Sequence, residues 1–191
     1  MSDYDTLHPW HPSDGFPTQG ILMLRHGPRG GGDLPSMNEP LTDDGIEATK
    51  FVGRRWMKRA APVVVSSPVH RCIQTSQLLV EAAGWDVEII QSSMLGNPGP
   101  FVIDSDLLSS HNEDILFSLR SHIDGSQIPG MLDRDAGVEK MITELMGLRG
   151  SANVLVACTH DSILAATAAS FGISGNHWPP YLEGYLLRCS L

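Results

Sequence analysis

Residues 20–32 read Gly20-Ile21-Leu22-Met23-Leu24-Arg25-His26-Gly27-Pro28-Arg29-Gly30-Gly31-Gly32, and the rest of the architecture follows from this stretch. Ile21 to Leu24 is apolar without interruption, the pattern of a strand covered on both faces in a parallel sheet. The run stops at Arg25-His26-Gly27, and three glycines then make a flexible loop. The same grammar recurs twice more: Val63-Val64-Val65 stops at Ser66-Ser67-Pro68, and Asn153 to Ala157 stops at Thr159-His160-Asp161. Val87 to Ile90 is expected as a further strand, and Gly184 to Cys189 as an edge strand.

Helical patterns lie between these runs. Thr42, with Asp43 and Asp44 behind it, is expected to cap a helix that buries Ala48, Val52, Trp56 and Ala60 and ends at Pro62. A second helix places Cys72, Ser76, Leu79, Val80 and Ala83 on one face and closes near Gly84. A third aligns Val138, Met141, Ile142, Leu145 and Leu148, and a small-residue helix runs from Ser162 to Phe171 with Gly172 as its cap. Strands alternating with helices give one α/β domain over residues 1–191, a three-layer α/β/α sandwich with a mostly parallel sheet. Residues 1–19, with Pro9, Pro12 and Pro17, are expected as an irregular lead-in. Residues 91–134 are broken by glycine and proline and fit at most one short helix, around Asn112 to His122. A stretch this long is expected to be a lid or a substrate-shaping insertion.

The chain has 191 residues, a formal charge of −9 and 41% hydrophobic residues, which suits one soluble domain and disfavours nucleic acid or anionic membrane as a partner. The longest apolar stretch, Ile163 to Phe171, is far short of the roughly 20 residues a membrane span needs. No signal-like apolar segment opens the sequence, and three cysteines without CxxC spacing read as reduced core residues, so a cytoplasmic protein is expected. Ten of the thirteen basic residues are arginine. Arginine suits bidentate capture of phosphate or carboxylate, so a local cationic pocket inside an acidic protein is the feature to seek.

Ligands of open α/β sheets bind beyond the carboxyl ends of the strands. Three strand ends bring Arg25, His26 and Arg29, then Arg71 one helical turn past Ser66-Ser67-Pro68, then His160 and Asp161. Such a donor array suits a tetrahedral dianion, with phosphate its natural occupant. A histidine among cations is held neutral and can attack phosphorus, and the arginines neutralise the spreading charge without need of a metal. Asp161 is the candidate to protonate the leaving oxygen and then activate water. Asp104, Asp106 and Glu113 are alternative donors if the middle segment folds over the site. His70 is close enough in sequence to touch substrate, Trp178 and Tyr181 are candidate pocket or packing residues, and His111, His122 and His177 are expected at the surface.

At these residues the sequence resembles the histidine phosphatase superfamily, also called phosphoglycerate-mutase-like. The resemblance is carried by Leu24-Arg25-His26-Gly27, Leu41-Thr42 with Gly45, Ser66-Ser67-Pro68 with Arg71, Gln74 and Thr75, and Thr159-His160. It implies that His26 becomes phosphohistidine, that Arg25, Arg71 and His160 hold the phosphoryl group, that Gly27 allows close backbone approach, and that Asn38 is a polar loop contact. Arg29, His160-Asp161 and Trp178-Pro179-Pro180-Tyr181 look like the acid-phosphatase and phytase branch. Gly31 stands where that branch usually has proline, and the chain is much shorter. The mutase branch usually takes its donor from a glutamate, for which only Glu88 is available. The resemblance therefore implies a phosphomonoester hydrolase without metal or cofactor, acting on a small phosphorylated substrate or a phosphoprotein. The alternatives are a mutase-type phosphotransferase and a non-catalytic phospholigand-binding protein.

Overall fold

The computed structural model describes residues 4–32, 36–111, 114–173 and 178–189. Six strands, β1 (Tyr4–Trp10), β2 (Gly20–Arg25), β3 (Val63–Ser66), β4 (Ile89–Gln91), β5 (Val154–Thr159) and β6 (Gly184–Cys189), form one sheet in the order β1-β6-β2-β5-β3-β4. The pairs β2/β5, β5/β3 and β3/β4 are parallel, and only β6 runs against the rest. Six helices join them: α1 (Asp43–Arg55), α2 (His70–Ala83), α3 (Ser105–His111), α4 (Ile115–Ile123), α5 (Arg134–Arg149) and α6 (Asp161–Ser170).

Alternation along β2 shows why its apolar run is uninterrupted. Ile21 and Met23 pack with Val138, Met141, Ile142 and Leu145 of α5 and with Leu164 and Ala165 of α6. Leu22 and Leu24 point the other way, to Val52, Trp56, Leu79 and Ala83 on the α1/α2 side. Both faces of the sheet are therefore covered, which makes the expected three layers. Thr42 caps α1 by accepting from Gly45 N at 3.1 Å, and Gly84 closes α2 in the left-handed region at φ 72°. Among the described residues no helix is long and apolar enough to cross a membrane.

Four expectations of secondary structure and topology need correction. The lead-in is not irregular throughout, because residues 4–10 form β1, antiparallel to β6, and bury Leu7 and Trp10 on opposite faces. Two apolar residues among prolines give too weak an alternation to read, and an edge strand tolerates Pro9 because it need not donate on its open side. The strand Gly184–Cys189 is consequently interior, between β1 and β2, rather than at an edge. The middle segment holds two helices, α3 and α4, where at most one was expected. Polar α3 lacks an apolar period, and its first turn is held by the Asp104 carboxylate accepting from Leu107 N at 2.9 Å. Finally, α1 stops at Arg55, with Trp56 as its C-cap, before Ala60. His122 is buried rather than at the surface, with Nε2 2.9 Å from Leu132 O. Asn112, Glu113 and His177 lie outside the described residues, as do the side chains of His111 and Cys189.

Candidate active site

The parallel register of β2 and β5 pairs Arg25 with Thr159, so His26 and His160 leave the sheet side by side. His26 N–H donates to Thr159 O at 3.0 Å, and the two imidazole centroids are 5.6 Å apart. From the next strand, β3, the Ser66-Ser67-Pro68 turn starts α2 and delivers Arg71 from its second residue. Arg71 joins the two histidines: Nε donates to His26 Nε2 at 3.1 Å and Nη2 donates to His160 Nδ1 at 3.2 Å.

These bonds assign the tautomers. His26 Nδ1 lies 2.8 Å from Gly27 O, an acceptor only, so Nδ1 carries the proton and the Nε2 lone pair faces the cleft cations. Burial drives the His26 pKa down to about 2, the Gly27 carbonyl opposes this, and His160, Arg71 and Arg25 depress it further. The ring is therefore neutral at physiological pH, and the lone pair of the nitrogen that faces the cleft accepts from Arg71 Nε. His160 accepts from Arg71 at Nδ1, so its Nε2–H donates to Ser67 Oγ at 3.0 Å. The same nitrogen is 3.6 Å from Cys72 Sγ.

Arg25 lines the cleft, paired with Asp161 at 2.6 Å, donating to Pro179 O at 2.9 Å and lying 4.0 Å over the Tyr181 ring. Asp161 opens α6 and also accepts from Ser162 N at 2.8 Å. Arg29 lines the cleft but donates to Gly30 O and Gly32 O, with Glu39 3.8 Å away. The Nε atoms of Arg25 and Arg29 are buried without a hydrogen-bond partner. These residues form the inner end of a cleft of about 640 Å³, whose walls include Phe101, Leu116, Met131 and Ile163. Among the described residues there is no group of three or more His, Cys, Asp or Glu placed to hold a metal ion.

Residues 21–95 match the family model of the histidine phosphatase superfamily (branch 1). The match runs from β2 through α2 to Leu95 and ends before His160-Asp161. The six-stranded, mostly parallel sheet with helices on both faces is the histidine phosphatase fold. Phosphoserine phosphatase from Entamoeba histolytica, solved as a mutant with phosphoserine, is 16% identical over 87% of this chain and 93% of that one, with a TM-score of 0.61. A mycobacterial glucosyl-3-phosphoglycerate phosphatase complexed with VO3 is 17% identical over 90% and 98%, with a TM-score of 0.58. At these identities the likeness is one of fold. No curated protein matches the chain.

Within this histidine phosphatase fold the structure brings together Arg25, His26, Arg29, Arg71, His160 and Asp161. Two expected contacts fall elsewhere. Asn38 is exposed and lies off the cleft wall, and the loop instead contributes Met37 and the Ser36 carbonyl, which accepts from Arg71 Nη1 at 3.2 Å. His70 is also exposed and off the wall, since the first turn of α2 points it outward while Val69 and Arg71 face in. Gly27 serves packing: an added Cβ would meet Thr49 Oγ1 at 2.5 Å, and its N–H donates to Thr75 Oγ1 at 2.9 Å, not toward the cleft. Gln74 accepts from Leu41 N at 2.8 Å and so ties α2 to the start of α1. Sequence reasoning missed Gly96, at φ 139°, where a Cβ would lie 2.6 Å from His160 Nε2 and 2.8 Å from Ser67 Oγ. In the sequence it is one of several glycines in a Pro/Gly-rich stretch, with no local signal to separate it from the others.

Proposed function

We propose that this protein is a phosphomonoesterase that works through a phosphohistidine at His26. The observation that carries the reading is the neutral His26, its Nδ1–H held by Gly27 O and its Nε2 facing Arg71 beside His160. Burial of this imidazole among cations favours a nucleophile over a cationic binding group. The buried, partnerless Nε donors of Arg25 and Arg29 suit anionic oxygens.

In the first step His26 Nε2 attacks phosphorus in line, the P–O ester bond breaks, and protonated Asp161 gives its proton to the leaving oxygen. Arg71 releases Nε2 and, with Arg25 and His160, holds the equatorial oxygens as charge spreads over them. Arg25 turns from Asp161 to the phosphoryl group, which frees the carboxyl to carry the proton. In the second step water attacks phosphorus, Asp161 takes a proton from it, the P–N bond breaks and inorganic phosphate leaves.

The fold neighbours named for phosphoserine and glucosyl-3-phosphoglycerate support a small phosphorylated substrate. The mutase alternative finds no donor at Glu88, which is exposed beside β4 and off the cleft wall. The deciding experiment is hydrolysis of p-nitrophenyl phosphate in the presence of a chelator, with phosphate trapped on the protein at alkaline pH because phosphohistidine is acid-labile. Activity and labelling are expected to vanish in His26→Ala. Retention of either in that variant refutes the proposal.

A further inference from the structure

We infer that the preferred substrate is a small aryl phosphomonoester whose leaving group carries a carboxylate, and that Arg120 reads that carboxylate; the inference rests on the phosphatase reading above. The cleft volume of about 640 Å³ lies in the range of small-molecule sites, about 300–1,000 Å³.

Charge is distributed unevenly along this cleft. The inner end holds Arg25, Arg29, Arg71 and Asp161 with the two histidines, and all three arginines are engaged there. Arg25 is held by Asp161, Arg29 by its own loop and Glu39, and Arg71 by His26 and His160. Beyond the phosphate position the walls are mainly apolar, Phe101, Leu116, Leu119 and Met131 among them, and Asn97, Ser118 and Ser162 are polar. A polyol leaving group would set most of its hydroxyls against apolar side chains, whereas an aromatic ring buries apolar area on them.

Arg120 is the one charged side chain among the described lining residues outside the inner cluster. It shares a face of α4 with Leu116 and Leu119, at the i, i+3, i+4 spacing that makes helix neighbours. It is exposed, and no carboxylate of the described residues lies within ion-pair distance of it. An exposed cation beside the apolar Leu116 and Leu119 selects a ligand that is apolar in the middle and anionic at the far end.

The test compares kcat/KM of the full chain for 4-carboxyphenyl phosphate, its uncharged counterpart 4-carbamoylphenyl phosphate, phenyl phosphate, glycerol 1-phosphate and a phosphotyrosine peptide. The carboxylate is expected to favour the first over the second by about fivefold, the upper end for an exposed ion pair. That ratio should shrink with salt, fall toward one in Arg120→Gln and fall below one in Arg120→Glu. Phenyl phosphate should exceed glycerol 1-phosphate, with a smaller margin in Leu119→Asn. Turnover with no carboxylate preference, a preference untouched at Arg120, or faster turnover of the glycerol ester or the peptide overturns this inference alone. Absence of His26-dependent turnover on every substrate, p-nitrophenyl phosphate included, brings down the phosphatase reading and this inference with it.

Discussion

Arg71 and His26 meet through a single directed bond, Nε to Nε2 at 3.1 Å, while the same guanidinium reaches His160 Nδ1 at 3.2 Å. One planar fork thus fixes the spacing of two imidazoles on different strands. A lysine ammonium is a point charge and cannot span both rings. Arg71→Lys is expected to lower kcat/KM for p-nitrophenyl phosphate by about 10²-fold, in the range for loss of one transition-state donor. Activity within a few-fold of the parent would show that charge alone suffices at this position.

Asp161 is proposed to deliver the leaving-group proton, and general acid catalysis contributes about 10²- to 10⁴-fold where the leaving group needs it. A nitrophenolate leaves without a proton, whereas an alkoxide does not. Asp161→Asn should therefore slow alkyl phosphates by about 10²-fold and p-nitrophenyl phosphate much less. Equal losses on both would place the donor elsewhere.

The depressed pKa of His26 makes stability depend on pH. The unfolded imidazole takes up a proton below about 6.5, whereas the folded one stays neutral down to about 2. Between these values the unfolded chain binds more protons, so stability is fully present above 6.5 and declines as pH falls through that window, by at most about 1.4 kcal/mol per pH unit. His122, also depressed by burial, acts in the same direction. Urea midpoints measured from pH 7.5 to 4.5 should fall more shallowly for His26→Asn than for the parent. Parallel curves would contradict the assignment.

Gly96 is in contact with the His160 ring and the Ser67 hydroxyl, at a φ that side chains rarely adopt. Gly96→Ala should lower stability by about 1–3 kcal/mol through strain and overpacking. It should also lower kcat by displacing His160. A variant with unchanged Tm and kcat would mean that the turn re-forms without moving the ring.

The site was legible where chemistry and register coincide. The three apolar runs ending in Arg25-His26-Gly27, Ser66-Ser67-Pro68 and Thr159-His160-Asp161 are strands β2, β3 and β5, and parallel pairing carries their ends to one edge. Thr42 and Gly84 announced their caps by residue type alone. What escaped depended on long-range partners. β1 exists because β6 offers it an edge, and its own residues barely alternate. Asn38 and His70 have suitable side chains, but the backbone turns them outward, whereas the carbonyl of Ser36 does the work, and a carbonyl has no sequence signature. Gly96 matters only because His160, from the far side of the chain, comes to rest against it.

The place of β6 between β1 and β2 also sets the order in which the site is completed. Arg25 donates its N–H to Glu183 O and accepts from Leu182 N, and its guanidinium rests on Pro179 and Tyr181. During synthesis the strand that leads into His26 therefore waits with an open edge until residues 178–189 emerge, and closing that edge is a high-sequence-separation event. Folding and catalytic competence become one event. A chain ending at residue 172 is expected to leave the β2 amides that point toward β6 unprotected in hydrogen exchange, while those paired with β5 keep their partners, and to hydrolyse nothing.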